Sequence, residues 1–506
     1  MSGHRPPRDV VAEYRAAAAA NQFRQSRLEK LEALKRLGIN AYPYGFAPSA
    51  AAAELQQRYA DLAPDEKTEV EVAVAGRIRT IRNSGMFIDL HDNTGKIQIF
   101  CHKQFLSPEQ LELVRLLDIG DMLGVTGLVR RTKAGELTVD ARRIEILAKA
   151  LLPLPEKYHG LQDVETRYRQ RYLDLIMNPE TRATLRARSA IVTTLRTAMI
   201  ERGFLEVETP MLHTLAGGAS ARPFVTHHNA LDMDLYLRIA PELHLKRLIV
   251  GGLADAVFEI NRNFRNEGIS PRHNPEFTMM ELYKAYADYN DMAELAESLF
   301  ERAAVAATGG TKVTYGDHQI EFRGPYPRRS MTELVRDETG ADFLTIDGAD
   351  AARAAARALQ VPLEGNEPWG NVVEAVFGHR VEHRLIHPTI VTDLPRDISP
   401  LAKVHRHDPR LTERFEIFVN GIEIANAFSE LTDPLDQFDR FAAQLDRREG
   451  GDEEAQPFDT DYVTALEYGL PPTGGMGIGI DRLVMLLTNS ASIRDVIIFP
   501  TMRPAS

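Results

Sequence analysis

Between Glu69 and Ala148 the chain leaves helical spacing for alternation, and this constrains its fold more than any other feature. Val70, Val72 and Val74 alternate with Glu69, Glu71 and Ala73, the period of a strand with one buried face. Gly76, Gly85, Gly95, Gly120, Gly124, Gly127 and Gly135 cut the stretch into short segments, and Asn93-Thr94-Gly95 separates FIDL from KIQIF as a hairpin turn would. About five short strands within about 80 residues bury their apolar faces by closing into a small barrel.

The OB-fold is the commonest nucleic-acid-binding barrel of this size. Around it, 506 residues suggest about three domains. The spacing predicts an Ala-rich helical extension over 1–65, the barrel over 66–150, a Pro-containing linker over 151–175 and a large mixed domain over 176–506. With 44% hydrophobic residues the chain has material for a large core, which excludes wholesale disorder. Cys101 is the only cysteine, so a disulfide scaffold and a thiolate cluster are excluded, and a reducing, cytoplasmic compartment is expected. No run of about 18 uncharged apolar residues suits a membrane span, and the first residues, with Arg5, Arg8, Asp9, Glu13 and Arg15, lack the apolar core of a secretory leader. The net charge of −12 leaves room for a local basic stripe. One candidate is the helix over 22–37, where Phe23, Leu28, Leu31, Leu34 and Leu37 recur at helical spacing among Arg24, Arg27, Lys30, Lys35 and Arg36. Those cations suit either a solvated face or a phosphate contact. The stretch Ala351–Ala358 suggests a surface helix.

Four segments of the large domain carry chemistry. From Arg188 the stripe Ile191, Val192, Leu195, Ala198 and Met199 marks a helix ended by Gly203. An extended stretch follows, and Pro210 stops it. In VFEINRNFRNEGISPRHNPEFTMMELYKAY a long turn joins two strands. The returning one places Phe277, Met279, Glu281 and Tyr283 on one face, with Arg265 nearby and Arg272 and His273 at the tip. An aromatic ring among converging opposite charges suits an anionic ligand with a flat ring. In FEIFVNGIEIANAFSE, Asn420-Gly421 is a two-residue hairpin turn. Plain pairing from that turn sets Val419 opposite Ile422, Phe418 opposite Glu423 and Glu416 opposite Ala425, so Glu416 and Glu423 share a face, Cβ atoms somewhat under about 7–8 Å apart. Two carboxylates so placed suit a hard cation, Mg²⁺ held jointly with substrate phosphates. In TGGMGIGIDRLVML, Gly474, Gly475, Gly477 and Gly479 allow close approach of a ligand, and Arg482 is the adjacent cation.

With these residues assembled, the chain resembles the bacterial class II lysyl-tRNA synthetases from about residue 25 to Pro504. RNFRNEGIS with RHNPEFTMMELY resembles the family's motif 2 (about 257–286), GGMGIGIDRLVML with IRDVIIFPTMRP its motif 3 (about 474–488), and the helix-strand-Pro210 unit its motif 1 (about 188–210). The resemblance implies an α+β protein: an N-terminal anticodon-binding OB-fold followed by an antiparallel catalytic sheet of six to seven strands flanked by helices, in a homodimer. It implies ATP-dependent activation of L-lysine to lysyl-adenylate and transfer to the 3′ end of tRNA(Lys), with Mg²⁺. In that scheme Arg265 bridges the α-phosphate and the amino-acid carboxylate, Arg272 and His273 meet the distal phosphates, Phe277 and Arg482 sandwich adenine, and Glu267 reads its amino group. Glu416 and Glu423 are the metal ligands. Gly218 and Glu242 hold the α-ammonium, Glu430 and Tyr283 the ε-ammonium with Glu281 nearby, and Asn426 and Phe428 line the pocket. On the barrel, Phe87 and Gln98 match the pattern that stacks on and hydrogen-bonds the central anticodon uridine. Arg77 lies within reach of anticodon phosphates, and the basic helix of 24–36 becomes a tRNA-phosphate contact.

Two departures stand out. His244 occupies a position where many relatives have tyrosine, and Ala425 and Ala427 replace usual glycines. Moreover, plain alternation puts Asn426, Phe428 and Glu430 on the face opposite Glu423, so a bulge near Ala425 is expected. A paralogue that lysylates elongation factor P would lack the barrel. A non-catalytic RNA-binding homologue would lack Arg265, Arg482, Glu416 or Glu423.

Overall fold

The computed structural model describes residues 7–155, 161–451 and 455–504. They form two compact units, Met1–Gly160 and Leu161–Ser506.

In the first unit five strands close a barrel: Lys67–Arg82, Phe87–His91, Lys96–Phe100, Met122–Arg131 and Leu137–Ala148, paired in the order first, second, third, fifth, fourth. Alternation is the cause, since Val72, Val74, Ile78, Ile88, Leu90, Ile97 and Ile99 all turn inward. The hairpin turn is held by Asp92, whose Oδ1 accepts from the amides of Thr94 at 2.7 Å and Gly95 at 2.8 Å. Helix Gln22–Arg36 starts on Asn21, whose side chain accepts from Arg24 N at 3.0 Å. It adds Leu31 and Leu34 to the barrel core, whereas Phe23 and Leu37, expected in the same stripe, are exposed.

Two basic residues of this helix, Arg27 and Lys30, are engaged by the barrel itself. Arg27 is buried and donates to the carbonyls of Ile119 (2.9 Å), Ala150 (2.9 Å) and Leu152 (3.0 Å). Lys30 pairs with Asp118 at 2.6 Å, and Lys35 with Glu32 at 2.6 Å. Arg27 and Lys30 thus tie the helix to the barrel, because burying a guanidinium is tolerable only when its N–H groups find acceptors.

In the second unit the sheet has eight strands rather than six or seven. Its central pairs are antiparallel; at its two edges Leu205–Glu206 runs parallel to Ala256–Phe264, and Arg328–Ser330 parallel to Thr389–Thr392. The extended stretch after Gly203 is shorter than its sequence suggests, only Leu205–Glu206 being strand. Segment 161–177, which overlaps the expected linker of 151–175, holds helices Val164–Arg169 and Arg171–Met177, and the fully buried Arg171 donates to the carbonyls of Ile498 (2.9 Å) and Arg494 (2.8 Å).

One face of the sheet packs on helices Pro179–Glu201, Tyr289–Thr308 and Ile480–Leu487. Met280, Leu282, Ile417, Ala425, Ala427, Met476 and Ile478 form that core with Ile191, Leu195, Ala296 and Leu483. The helix Ala349–Ala358 is less superficial than expected. Ala352 and Ala356 are fully buried against Val335, Phe343 and Val372, because alanine lets helices approach closely. The other face of the sheet carries a cleft.

Candidate active site

The cleft floor is a run of same-face residues on adjoining strands. Glu276–Ala285 pairs with Ala256–Phe264 in the register Glu259 to Glu281 and Asn263 to Phe277, and with Thr473–Gly479 in the register Glu281 to Gly477 and Tyr283 to Gly475. Phe277, Met279, Glu281 and Tyr283 therefore face the same way as Gly475, Gly477 and Gly479. Absent side chains on the glycine strand open the space that the others border. At Gly475 an added Cβ would stand 2.0 Å from Glu430 Oε1 and 2.5 Å from Tyr283 Cε1.

The strand Ile422–Ser429 bears the expected bulge. Phe418 pairs with Glu423, but Ile417 pairs with Ala425, leaving Ile424 as the extra residue. Ile424 and Ala425 both turn into the core, which shifts every later residue by one. Glu416 accordingly lies opposite Asn426, not Ala425, and Arg414 lies opposite Phe428. Glu423 and the pair Asn426 and Phe428 consequently line one cavity of about 510 Å³.

That cavity gathers nearly all residues expected of the site. Arg265, Glu267, Arg272, His273, Phe277 and Arg482 line one part, Glu416 and Glu423 stand beside them, and Gly218, Glu242, Glu281, Tyr283, Asn426 and Phe428 line the rest. Glu430 lies behind the wall at Gly475 and is 1% exposed. His244 is not on the wall, its ring being 4.5 Å from that of His213. Both imidazoles are held neutral: burial lowers each pKa, that of His213 to about 4, with the neighbouring His244 acting further on His213.

At the cationic end, Arg265 lies over the Phe277 ring at 5.1 Å, and its Nε has no hydrogen-bond partner among the described residues. Arg482 donates to Glu423 O at 2.9 Å and to Glu423 Oε2 at 3.1 Å, and approaches His273 Nε2 at 3.1 Å. Guanidinium cannot accept, so His273 Nε2 is the acceptor there and the ring is neutral. Burial and the charges of Arg482 and Arg265 lower its pKa in agreement. Arg272 reaches the Gly421 carbonyl at 2.6 Å. Asp481 fixes the Arg482 helix by accepting from Thr278 N at 2.6 Å and Arg188 Nη1 at 2.5 Å.

The two candidate metal ligands are each paired with an arginine: Glu416 with Arg414 at 2.7 Å, Glu423 with Arg482 at 3.1 Å. Burial pushes the Glu416 carboxyl up to about 8 against the pull of Arg414, and Glu423, Glu374 and Glu382 push further. Such crowded hard oxygens suit a divalent cation, yet among the described residues no three acidic, His or Cys side chains form a ready cage. A cation held here would be completed by phosphate oxygens, which is the preference of Mg²⁺.

The acidic end is built differently. Burial pushes the Glu281 carboxyl up to about 8, with Glu242 adding to the shift and Arg265 opposing it. The Tyr283 hydroxyl lies 3.4 Å from Glu281 Oε2, and burial raises its pKa. Gly218 has φ +90° and sits against the Glu242 side chain, where an added Cβ would be 3.2 Å from Glu242 Cβ. Two residues, one lining this cleft and one buried behind it, are not legible in the sequence. Arg414, which also donates to Asn426 Oδ1 at 3.0 Å, follows from the bulged register. Lys246, one helical turn after Glu242, touches both Glu242 and Glu430.

On the barrel, Phe87 and Gln98 sit on neighbouring strands of one outer face. The Phe87 ring is 5.0 Å from that of Phe100, and Gln98 Oε1 accepts from Thr138 Oγ1 at 3.0 Å. Arg77 is elsewhere: it pairs with His91, and its Nη1 donates to Gly120 O at 2.8 Å. The residue opposite Phe87 is Arg82, whose guanidinium pairs with Asp89 at 2.9 Å. The bulge after Ile78 makes that placement illegible from plain alternation.

Comparison with known proteins matches residues 163–503 to the family described as tRNA synthetases class II (D, K and N), and residues 72–147 to the OB-fold nucleic acid binding domain. The chain is 54% identical over 480 residues to a lysine–tRNA ligase of Sinorhizobium medicae, covering 95% of this chain and 96% of that protein. It is 54% identical over 486 residues to that of Carboxydothermus hydrogenoformans, with 96% and 98% covered, and 53% identical over 487 residues to that of Halalkalibacterium halodurans, with 96% and 97% covered.

Proposed function

The chain belongs to the lysine–tRNA ligases of the class II tRNA synthetases, and from that premise we propose how its residues divide the reaction. The enzyme activates L-lysine with ATP as lysyl-adenylate and transfers the lysyl group to tRNA(Lys).

The lysine carboxylate attacks the α-phosphorus directly, since it is already an anion and needs no general base. The chain's work is to hold it in line and to neutralise the phosphates. In our reading Arg265 bridges carboxylate and α-phosphate, Arg272 and His273 face the distal phosphates, Phe277 and Arg482 enclose adenine, and Glu267 meets its amino group. Glu416 and Glu423 would hold Mg²⁺, which supplies charge neutralisation to the pyrophosphate leaving group. Gly218 and Glu242 take the α-ammonium, and Glu430 with Tyr283 and Glu281 the ε-ammonium, beside Asn426 and Phe428. An uncharged side chain would leave Glu430 Oε1 buried without a donor, at a cost of about 1–3 kcal/mol. Residues 66–150 form the anticodon module, with Phe87 and Gln98 as base contacts and Arg82 in place of Arg77 as their cation. Residues 176–506 form the catalytic domain.

We also propose a homodimer. Leu205, Met211, Leu212, Leu215, Val225 and Leu231 are all exposed around the motif 1 segment, at 37–66%, an apolar surface suited to a second copy. Sedimentation equilibrium tests it. A cytoplasmic location suits the tRNA substrate, and no described helix is long and apolar enough to cross a membrane.

One observation carries the substrate assignment: a single cavity is lined both by Glu242 and Glu281 and by Arg265 and Arg482. Lysine-dependent ATP–pyrophosphate exchange by wild type and Glu430→Gln tests it. The variant should lose most lysine-dependent exchange, and equal rates would refute the specificity argument.

A further inference from the structure

A cation lies buried behind the acidic end of the cavity. Lys246 Nζ lies 2.5 Å from Glu242 Oε1 and also contacts Glu430 Oε2, and the side chain is 0% exposed. The rings of Phe428 (5.4 Å), Tyr283 (5.8 Å) and Tyr462 (5.8 Å) surround the ammonium. Its two partners are the carboxylates assigned above to opposite ends of the substrate. Among the described residues neither Glu430 oxygen makes a hydrogen bond; Oε2 touches the Lys246 ammonium, and Oε1 stands against Gly475.

We propose that Lys246 is a specificity-determining positioning residue, which keeps Glu430 a carboxylate in the empty site and fixes Oε2 so that Oε1 is left for the ε-ammonium of lysine. The inference rests on the substrate assignment above and extends it. The groups facing Glu430 come from several elements: Glu242 and Lys246 on one helix, Glu281 and Tyr283 on one strand, and Tyr462 on the helix Thr460–Glu467. Burial, Glu242 and Glu281 together push the Glu430 carboxyl well up; Lys246 is the opposing charge, and its direct contact with Oε2 is what favours the carboxylate. Burial lowers the Lys246 ammonium, but Glu242 and Glu430 outweigh it and the net shift is upward, so the proton stays on nitrogen.

Without that cation Glu430 takes a proton, because an unpaired buried carboxylate is too costly to keep. Lysine would then have to displace the proton before binding, while a neutral side chain would meet a neutral acid and escape its penalty. Lys246 therefore acts on the choice between charged and uncharged substrates and leaves the nucleotide end alone.

The test compares lysine with 2-aminoheptanoic acid, in which a methyl replaces the ammonium, in ATP–pyrophosphate exchange by the full-length enzyme. Lys246→Met should raise the lysine KM about tenfold or more, the scale of one charge-assisted hydrogen bond. The ATP KM should stay within about twofold, and the lysine-to-analogue ratio of kcat/KM should fall by about tenfold or more. Lys246→Gln keeps donors and packing but no charge, and should behave the same way if the methionine variant folds poorly. A folded variant of either kind with the wild-type ratio, or with lysine and ATP constants rising together, overturns the proposal. Absence of lysine-dependent exchange in the wild type would instead sink the substrate assignment.

Discussion

Three glycines on one strand face make a graded experiment. An added methyl meets Glu430 Oε1 at 2.0 Å for Gly475, Met279 Cε at 3.0 Å for Gly477, and nothing nearer than Arg482 Cδ at 3.7 Å for Gly479. The end of Met279 is flexible and can yield. Glu430 cannot, being clamped by Lys246, nor can the Tyr283 ring, which is 3% exposed. Overpacking costs about 1–3 kcal/mol, or about fivefold to about 150-fold at 1.4 kcal/mol per decade. Gly475→Ala belongs at the upper end, since a carboxylate and a ring edge must both move. We expect its lysine KM to rise about 100-fold with the ATP KM unchanged, because the displaced atoms all lie at the acidic end. Gly477→Ala should cost about fivefold or less, and Gly479→Ala should keep wild-type kinetics while gaining about 0.4–1 kcal/mol of stability through a stiffer unfolded chain. Substrate-resolved exchange kinetics and thermal melts measure all three. Equal effects along the series, or a Gly475→Ala defect shared by ATP, would refute the reasoning.

Glu281, pushed up to about 8, is mostly protonated at neutral pH in the empty site, whereas an arriving ammonium favours its ionised form. The lysine KM should therefore fall as pH rises from about 6 to about 8, by up to about tenfold per unit, with Glu281→Gln abolishing the slope; a flat wild-type profile would exclude the linkage. Phe87→Ala should weaken tRNA charging and leave lysine-dependent exchange intact, and loss of exchange would show that the barrel is no separate recognition module. Arg27→Ala removes three carbonyl contacts and should destabilise the first unit by about 2–4 kcal/mol in denaturant titrations. Wild-type stability with weakened tRNA binding would restore the phosphate-contact reading.

What was legible in the sequence was what short-range periodicity encodes. The turn at Asn420-Gly421 sets Val419 against Ile422 and Phe418 against Glu423, as pairing from it requires. Two residues further on, local pattern no longer suffices, because Ile424 and Ala425 are both apolar and nothing in their identity says that both face inward. The need for a bulge was visible only as a conflict between two sets of polar residues. Long-range partners were invisible for a simpler reason. Arg27 and Arg36 look alike on a helix; the first is structural because carbonyls about 90–125 residues away meet it. Lys246 is not legible because a glutamate and lysine four apart usually form a solvent-facing pair. Here the helix is turned so that both point into the protein.

The single surplus residue at Ile424 changes the parity of its strand. Upstream, odd-numbered Glu423 is presented to the cleft; downstream, even-numbered Asn426 and Phe428 are. One continuous backbone thus serves the metal-and-phosphate end and the amino-acid end at a fixed separation, with no hinge between them. Removing one residue there would flip the downstream half, trading pocket-lining side chains for Ala427 and Ser429 while Glu423 stayed in place. Amino-acid choice can therefore drift by substitution beyond the surplus residue without disturbing the nucleotide's anchor.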